Sequence, residues 1–164
     1  QTSIHGGSLR LFVERQDSPS EKVKSMLADE KDRGVDGIAF YRGFADQVEK
    51  VKRDLMEKLT ELKAAGAKIV GYGAAAKACT LMAYCGIDKR HLEWIADLNE
   101  RKHGRHMGGN LLEIVPPDRL AAEQPDYCLI LAWNFADEIM KQQQPFLEAG
   151  GGFLVPIPEL RVVK

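Results

Sequence analysis

Apolar residues change their spacing several times along the chain, and each change marks an element. In "SLRLFVER" (Ser8 to Arg15), Leu9, Leu11 and Val13 alternate with Arg10, Phe12 and Glu14, the period-two pattern of a strand. In "DSPSEKVKSMLADEKDRG", Ser18 as N-cap, Pro19 at the first helical position and Glu21 three residues on predict a helix that Gly34 stops. Phe44, Val48, Val51, Leu55, Leu59 and Leu62 then recur at steps of three and four. They form one face of a long helix over about residues 38–65, ending near Gly66. The charges between them, such as Glu49, Lys52, Glu57 and Glu61, read as a solvated face with local ion pairs.

From there strands and helices take turns. "AKIVGYG" predicts a buried strand, "AAAKACTLMAYCG" a helix ended by Gly86, and "LEWIADLN" a second strand. "GGNLLEIVPP" holds a short apolar stretch and "PDRLAAE" a short helix. "DYCLILAWN" is the most apolar strand, and "FADEIMKQQQPFLEAGG" is a helix that Pro145 bends or breaks. "GFLVPIPELRVV" supplies one or two last strands. Near-continuous apolar strands between helices predict an α/β fold, Rossmann-like, with a mostly parallel sheet covered by helices on both faces. The whole chain, residues 1–164, is expected to be one such domain, the long helix leading into its core.

Composition narrows the class little. The 164 residues are 45% hydrophobic and 29% charged, ordinary for a globular domain. A formal net charge of -1 gives no electrostatic case for nucleic acid. No apolar run approaches the ~20 residues of a membrane span, and the first residues hold no apolar signal-peptide core. Cys79, Cys85 and Cys128 are an odd number without CxxC spacing, so neither a zinc site nor a disulfide framework is predicted, and a cytoplasmic setting is the simplest. The chain opens on Gln1 and reads as a piece of a longer polypeptide. All three cysteines lie on apolar stretches and are expected in the core.

The candidate chemistry centres on Gly71-Tyr72-Gly73-Ala74-Ala75-Ala76, which fits G-x-G-x-x-G/A. In that motif Gly71 allows a tight turn, Gly73 lets a phosphate approach the backbone, and a small third residue lets helix and strand pack closely. Asp97 ends the second strand, where a ribose-binding acid would stand. Lys77, in the first helical turn, opposes the helix dipole; contact with a phosphate would offset that cost, and an exposed surface lysine is the alternative. The residues before Gly71 are Lys68, Ile69 and Val70, without the acid that precedes the usual S-adenosylmethionine loop. His5-Gly6-Gly7-Ser8 offers a close backbone approach and a hydroxyl donor. Arg105, in "NERKHGRHMGG", suits bidentate contact with a diphosphate; His103 and His106 beside it have no third ligand, so no metal is proposed. Trp133-Asn134 ends the most apolar strand, and Asn134 can serve a ligand or cap the next helix. No nucleophile–base–orienter set is visible, so no catalytic residue is assigned.

Four stretches, "HGGSLRLFV", "GYGAAAKACTLMAYCGI", "KHGRHMGGNLLEI" and "PDYCLILAWNFADEIM", occur in the order found in one family. Together they resemble the C-terminal domain of the S-adenosylmethionine-dependent C-methyltransferases that act on nucleotide-linked keto-deoxysugars. The resemblance implies a Rossmann-like C-terminal domain that helps to hold the nucleotide-diphosphate sugar. It implies zinc-binding and S-adenosylmethionine-binding domains upstream in the same polypeptide, which carry those cofactors and most of the catalytic groups. His5, Gly6, Gly7, Ser8, Gly71, Gly73, Ala74, Lys77, Arg105, Trp133 and Asn134 match motif positions. Two other readings use the same residues: an NAD(P)-binding oxidoreductase domain with Asp97 on a ribose, and a structural or interaction domain whose nucleotide site is empty.

Overall fold

The computed structural model describes residues 8–16 and 18–164. It divides into two units, residues 1–50 and 51–164.

In the first unit, Ser8 joins an isolated bridge and residues 9–16 are irregular, so the strand expected over "SLRLFVER" is not formed. A strand needs a sheet edge to pair with, and residues 9–13 find no backbone partner among the described residues. Helix α1 (Glu21–Asp32) starts two residues later than expected. Its N-cap is Ser20, whose hydroxyl accepts from the Val23 amide at 3.4 Å, while the Ser18 hydroxyl turns to the Glu14 carboxylate. Pro19 therefore precedes the helix. Gly34 follows its end at φ +70°, as expected of a helix stop.

Helix α2 (Ile38–Ala64) fits the predicted span. Leu55, Leu59 and Leu62 are its buried positions, and Phe44, at the other end of the same stripe, is exposed. Gly66 at φ +80° ends it.

The second unit is built on one six-stranded sheet. Its strands are β1 (Ile69–Tyr72), β2 (Trp94–Ala96), β3 (Glu113–Val115), β4 (Tyr127–Ile130), β5 (Gly152–Val155) and β6 (Arg161–Val163). The order is β3-β2-β1-β4-β5-β6, all parallel except β6, which runs antiparallel to β5. This is the strand order of dinucleotide-binding sheets, with the last strand reversed. Helices α3 (Ala76–Cys85), α4 (Asp118–Glu123), α5 (Ala136–Gln142) and α6 (Gln144–Glu148) connect the strands. Pro145 lies in the first turn of α6, so the predicted break divides one helix into two.

Strand alternation explains why the sheet needs two covers. Ile69, Ile95, Ile114, Leu129 and Leu154 enter one buried cluster with the leucines of α2 and with Ala78, Leu81 and Met82 of α3. Val70, Tyr72, Trp94, Cys128, Ile130 and Phe153 enter a second, with Leu120 of α4, Ile139 of α5 and Phe146 of α6. Successive residues serve opposite faces, so the strands read as unbroken apolar runs. Cys85 and Cys128 lie in these clusters, and burial pushes both thiols up. Cys79 is exposed, against expectation. It stands one step off the buried stripe Ala78, Leu81, Met82 and Cys85, which follows helical spacing.

A charged cluster ties the N-terminal ends of the strands to α4. Glu123 accepts from Lys68 Nζ at 2.8 Å, from the Arg119 guanidinium and from Trp94 Nε1 at 3.1 Å. These donors hold its carboxyl at about 2, well below the ordinary 4.5. A depressed carboxyl contributes stability above its unfolded pKa and loses it as pH falls through the folded one. Glu123→Gln should therefore lower stability at neutral pH and remove part of the loss that the parent shows between about pH 4.5 and 2. Denaturant melts of both proteins at stepped pH check this; parallel stability–pH curves through that window would refute it.

Candidate functional site

Neighbouring strands β1 and β4 send their connections to opposite faces of the sheet. Helix α3 packs in the first cluster and α5 in the second. Such a divergence opens a crevice at the C-terminal ends of the two strands, where ligands of open α/β sheets collect. Its walls here are the Gly73–Ala75 loop and the Ala132–Phe135 turn.

The glycines are explained by packing. Gly71 lies within β1 and not in the turn; a Cβ on it would stand 3.0 Å from the side chains of Ile95 and Leu131. Gly73 has φ +99°, and a Cβ there would stand 2.6 Å from the Ala132 Cβ. The loop amides are also engaged. Gly73 N–H donates to Ala96 O at 2.7 Å, Ala74 N–H to Asp97 Oδ2 at 2.7 Å, and Ala75 N–H to Gly73 O at 2.9 Å. The expected phosphate cradle at Gly73 and Ala74 is thus filled by the chain's own acceptors.

Asp97 is the acceptor that matters most. It is 8% exposed, the buried charged residue of the described core. Besides the Ala74 amide it accepts from Lys102 Nζ at 3.0 Å and, through Oδ1, from the Asn99 amide at 2.8 Å. Lys102 Nζ also donates to Ala74 O at 2.8 Å, and His103 Nε2 is 2.7 Å from Asp97 O. The acid expected on a ribose instead locks the glycine loop to the end of β2. Lys102 was not singled out by the sequence, although its position five residues after Asp97, past the turn that Asn99 caps, is the available hint.

Lys77 meets Trp133 and Phe135, and Phe135 lines the crevice. Lys77 Nζ stands 4.8 Å from the centre of the Trp133 ring and 5.6 Å from that of Phe135, and burial lowers its pKa. Among the described residues no carboxylate pairs with it. Asn134 does not cap α5, whose N-cap is Phe135 without a side-chain bond. Its Oδ1 is buried with no hydrogen-bond partner among the described residues. Beside these groups lies a cavity of about 260 Å³, lined among others by Tyr72, Leu98, Phe135 and Ile139, with Asp97 and Glu138 as its charged residues. Phe135 was missed because its neighbours Trp133 and Asn134 drew the functional reading. Tyr72 was passed over as the variable place of the glycine motif; burial raises its hydroxyl pKa.

Arg105 is not brought to this group. Its carbonyl accepts from the Ile114 amide, on the outer side of edge strand β3. Ile114 pairs with Ile95, and Ile95 with Gly71, so Arg105 lies three strand spacings from β1, about 14 Å. Ser8 lies in the first unit. His5, Gly6 and Gly7 lie outside the described residues. No group of three or more His, Cys, Asp or Glu able to hold a metal occurs among the described residues, and no helix among them is long and apolar enough to cross a membrane.

The strand order, the parallel pairing and the helices on both faces place the second unit in the Rossmann-like α/β class. The chain belongs to the C-methyltransferase C-terminal domain family, whose model matches residues 3–158. It is 38% identical over 163 residues to the C-methyltransferase NovU of Streptomyces niveus. That match covers 98% of this chain and 39% of the relative, so the chain spans about two fifths of that protein's length.

If Asp97 holds the loop, Asp97→Asn should weaken it more than it weakens the sheet. A loss of about 2 kcal/mol in folding stability is expected from the hydrogen bonds made to a charged acceptor. Amide exchange at Ala74 should speed up more than exchange in β1. Equal acceleration at both places would show that Asp97 acts on the whole core and not on the loop.

Proposed function

We propose that this chain is the substrate-holding part of an S-adenosylmethionine-dependent C-methyltransferase and that its ligand is a nucleotide-diphosphate keto-deoxysugar. The observation that carries the reading is Lys77, a cation on the Trp133 and Phe135 rings at the switch point, without an anionic partner among the described residues. A desolvated ammonium gains most from a ligand that brings negative charge, and a diphosphate brings it in compact form. The crevice beside it is apolar and carries carboxylates, so it suits an uncharged part of the same ligand. Family membership and the printed activity of NovU support C-methylation as the reaction class.

The reaction removes a proton from the carbon beside a ketone and transfers a methyl group to the enolate. The cofactor does not fit this chain's loop. The amides of Gly73, Ala74 and Ala75 are spent on internal acceptors, and Lys68, Ile69 and Val70 stand where that cofactor's loop has an acid. No methyl-transfer step is therefore routed through these residues. Cofactor and zinc belong to other parts of the polypeptide, and the work of this chain is to hold and orient the sugar nucleotide. The spent amides and saturated Asp97 weigh equally against an NAD pyrophosphate and ribose on this loop.

Calorimetry of the chain with a thymidine-diphosphate sugar and with NAD tests the reading. The sugar nucleotide should bind and NAD should not. Lys77→Met should weaken sugar-nucleotide binding about 10-fold, or about 1.4 kcal/mol. Arg105→Ala, distant from the crevice, should change it less than about twofold. NAD binding without sugar-nucleotide binding would favour an oxidoreductase domain. Failure of both ligands would favour a structural or interaction domain. Methylation by this chain alone would overturn the division of labour.

A further inference from the structure

The described residues of the first unit expose apolar surface and bury none of it. From Ser8 to Lys50 no described residue is buried. Leu9, Leu11, Phe12 and Val13 are 61%, 82%, 87% and 95% exposed. Helix α1 has no buried residue, and Val23 and Leu27 are exposed on it. Between residues 9–12 and α1 runs an open groove of about 440 Å³, with Met26 and Leu27 on its helical wall. A twelve-residue helix gains its stability in water mainly by burying an apolar face, and this one buries none. Exposed apolar side chains this closely spaced mark a contact surface.

The pattern identifies the kind of contact. Leu9, Leu11 and Val13 alternate with Arg10, Phe12 and Glu14, and no glycine or proline interrupts Ser8 to Arg15. Residues 9–13 have a strand's sequence and lack a strand's partner among the described residues. Their backbone groups make no hydrogen bond among the described residues.

We infer that residues 9–13 form a strand added to a sheet edge of another domain of the same methyltransferase, with α1 covering that junction. The occupant follows from the relative's length: roughly three fifths of NovU lies outside the match, and the matched family is a C-terminal domain. Edge pairing would satisfy the free backbone groups and bury Leu9, Leu11 and Val13 on one face, leaving Arg10, Phe12 and Glu14 on the other, where Phe12 lines the groove along α1. This inference rests on the proposed multidomain methyltransferase but not on its sugar nucleotide.

The test compares the 164-residue chain with the longer polypeptide that carries it, both without ligand. In the longer protein the amides of residues 9–13 should exchange about 100-fold more slowly than in the chain alone. Single cysteines at Leu11 and Val13 should resist a thiol reagent there, while cysteines at Arg10 and Glu14 react freely, each site read by peptide mass so that Cys79 does not interfere. Equal exchange in both proteins, or equal reactivity at all four positions, overturns the inference. Protection that appears in the chain alone and rises with its concentration overturns it in favour of a second copy. Because no sugar nucleotide is present, failure here leaves the substrate reading standing, and loss of sugar-nucleotide binding leaves this one standing.

Discussion

The carboxylate of Asp97 is the constraint on which the crevice depends. One buried side chain accepts from the Ala74 amide, the Asn99 amide and Lys102, and so joins the end of β1, the end of β2 and the turn that follows it. A buried carboxylate is costly unless its lone pairs are satisfied, and here three donors satisfy it. Lys102 is shared with Ala74 O, so the same ammonium holds both sides of the loop. With Gly73 pressed against Ala132, this network fixes the start of α3 and therefore the place of Lys77 above Trp133 and Phe135. The rings come from beyond β4 and the lysine from beyond β1. Their meeting depends on parallel pairing of those two strands and on the loop that the Asp97 network closes.

The two ends of the sheet do different work. At the N-terminal ends, Lys68, Trp94, Arg119 and Glu123 satisfy one another, and charge is used to stitch strands to α4. At the C-terminal ends, among the described residues, Lys77 has a depressed pKa and no carboxylate partner, and Asn134 Oδ1 has no donor. Polar groups left short of partners cost stability, and functional sites are where such costs are retained. The contrast within one sheet supports the switch-point edge as the binding edge more strongly than the glycine motif does.

Much of the fold was legible because each feature left a local trace. Strands covered on both faces appear as continuous apolar runs, and Gly34, Gly66 and Gly86 end helices at positive φ. The exposed Cys79 is legible too, because it falls off the helical stripe of Ala78, Leu81, Met82 and Cys85 in α3. The start of α1 was not, since Ser18 and Ser20 are equivalent caps in sequence and only the direction of each hydroxyl separates them. The period-two pattern of Ser8 to Arg15 predicts a strand that is not formed, because pairing is a property of two segments. At the site, the sequence marked Lys77 and Trp133 as separate candidates. Their contact, the role of Phe135 and the distance of Arg105 arise from strand order and register, which no local spacing encodes.

The glycine loop shows why a fingerprint speaks for the fold more firmly than for the chemistry. A small residue is selected at Gly73 whenever the backbone must take φ near +99° with another chain segment 2.6 Å from the missing Cβ. A phosphate needs the same small residue for its own approach. Both constraints write the same letters, so the motif cannot separate them. What separates them is the hydrogen-bond account of the loop: amides that meet a ligand must be free of protein acceptors. In this chain the Gly73, Ala74 and Ala75 amides are taken, one of them by the acid that the fingerprint assigns to the ribose. The loop has kept the geometry that shapes a nucleotide crevice while turning its donors inward. In the proposed function, recognition of an anion at that edge falls to a side-chain cation, and Lys77 stands there on its two rings.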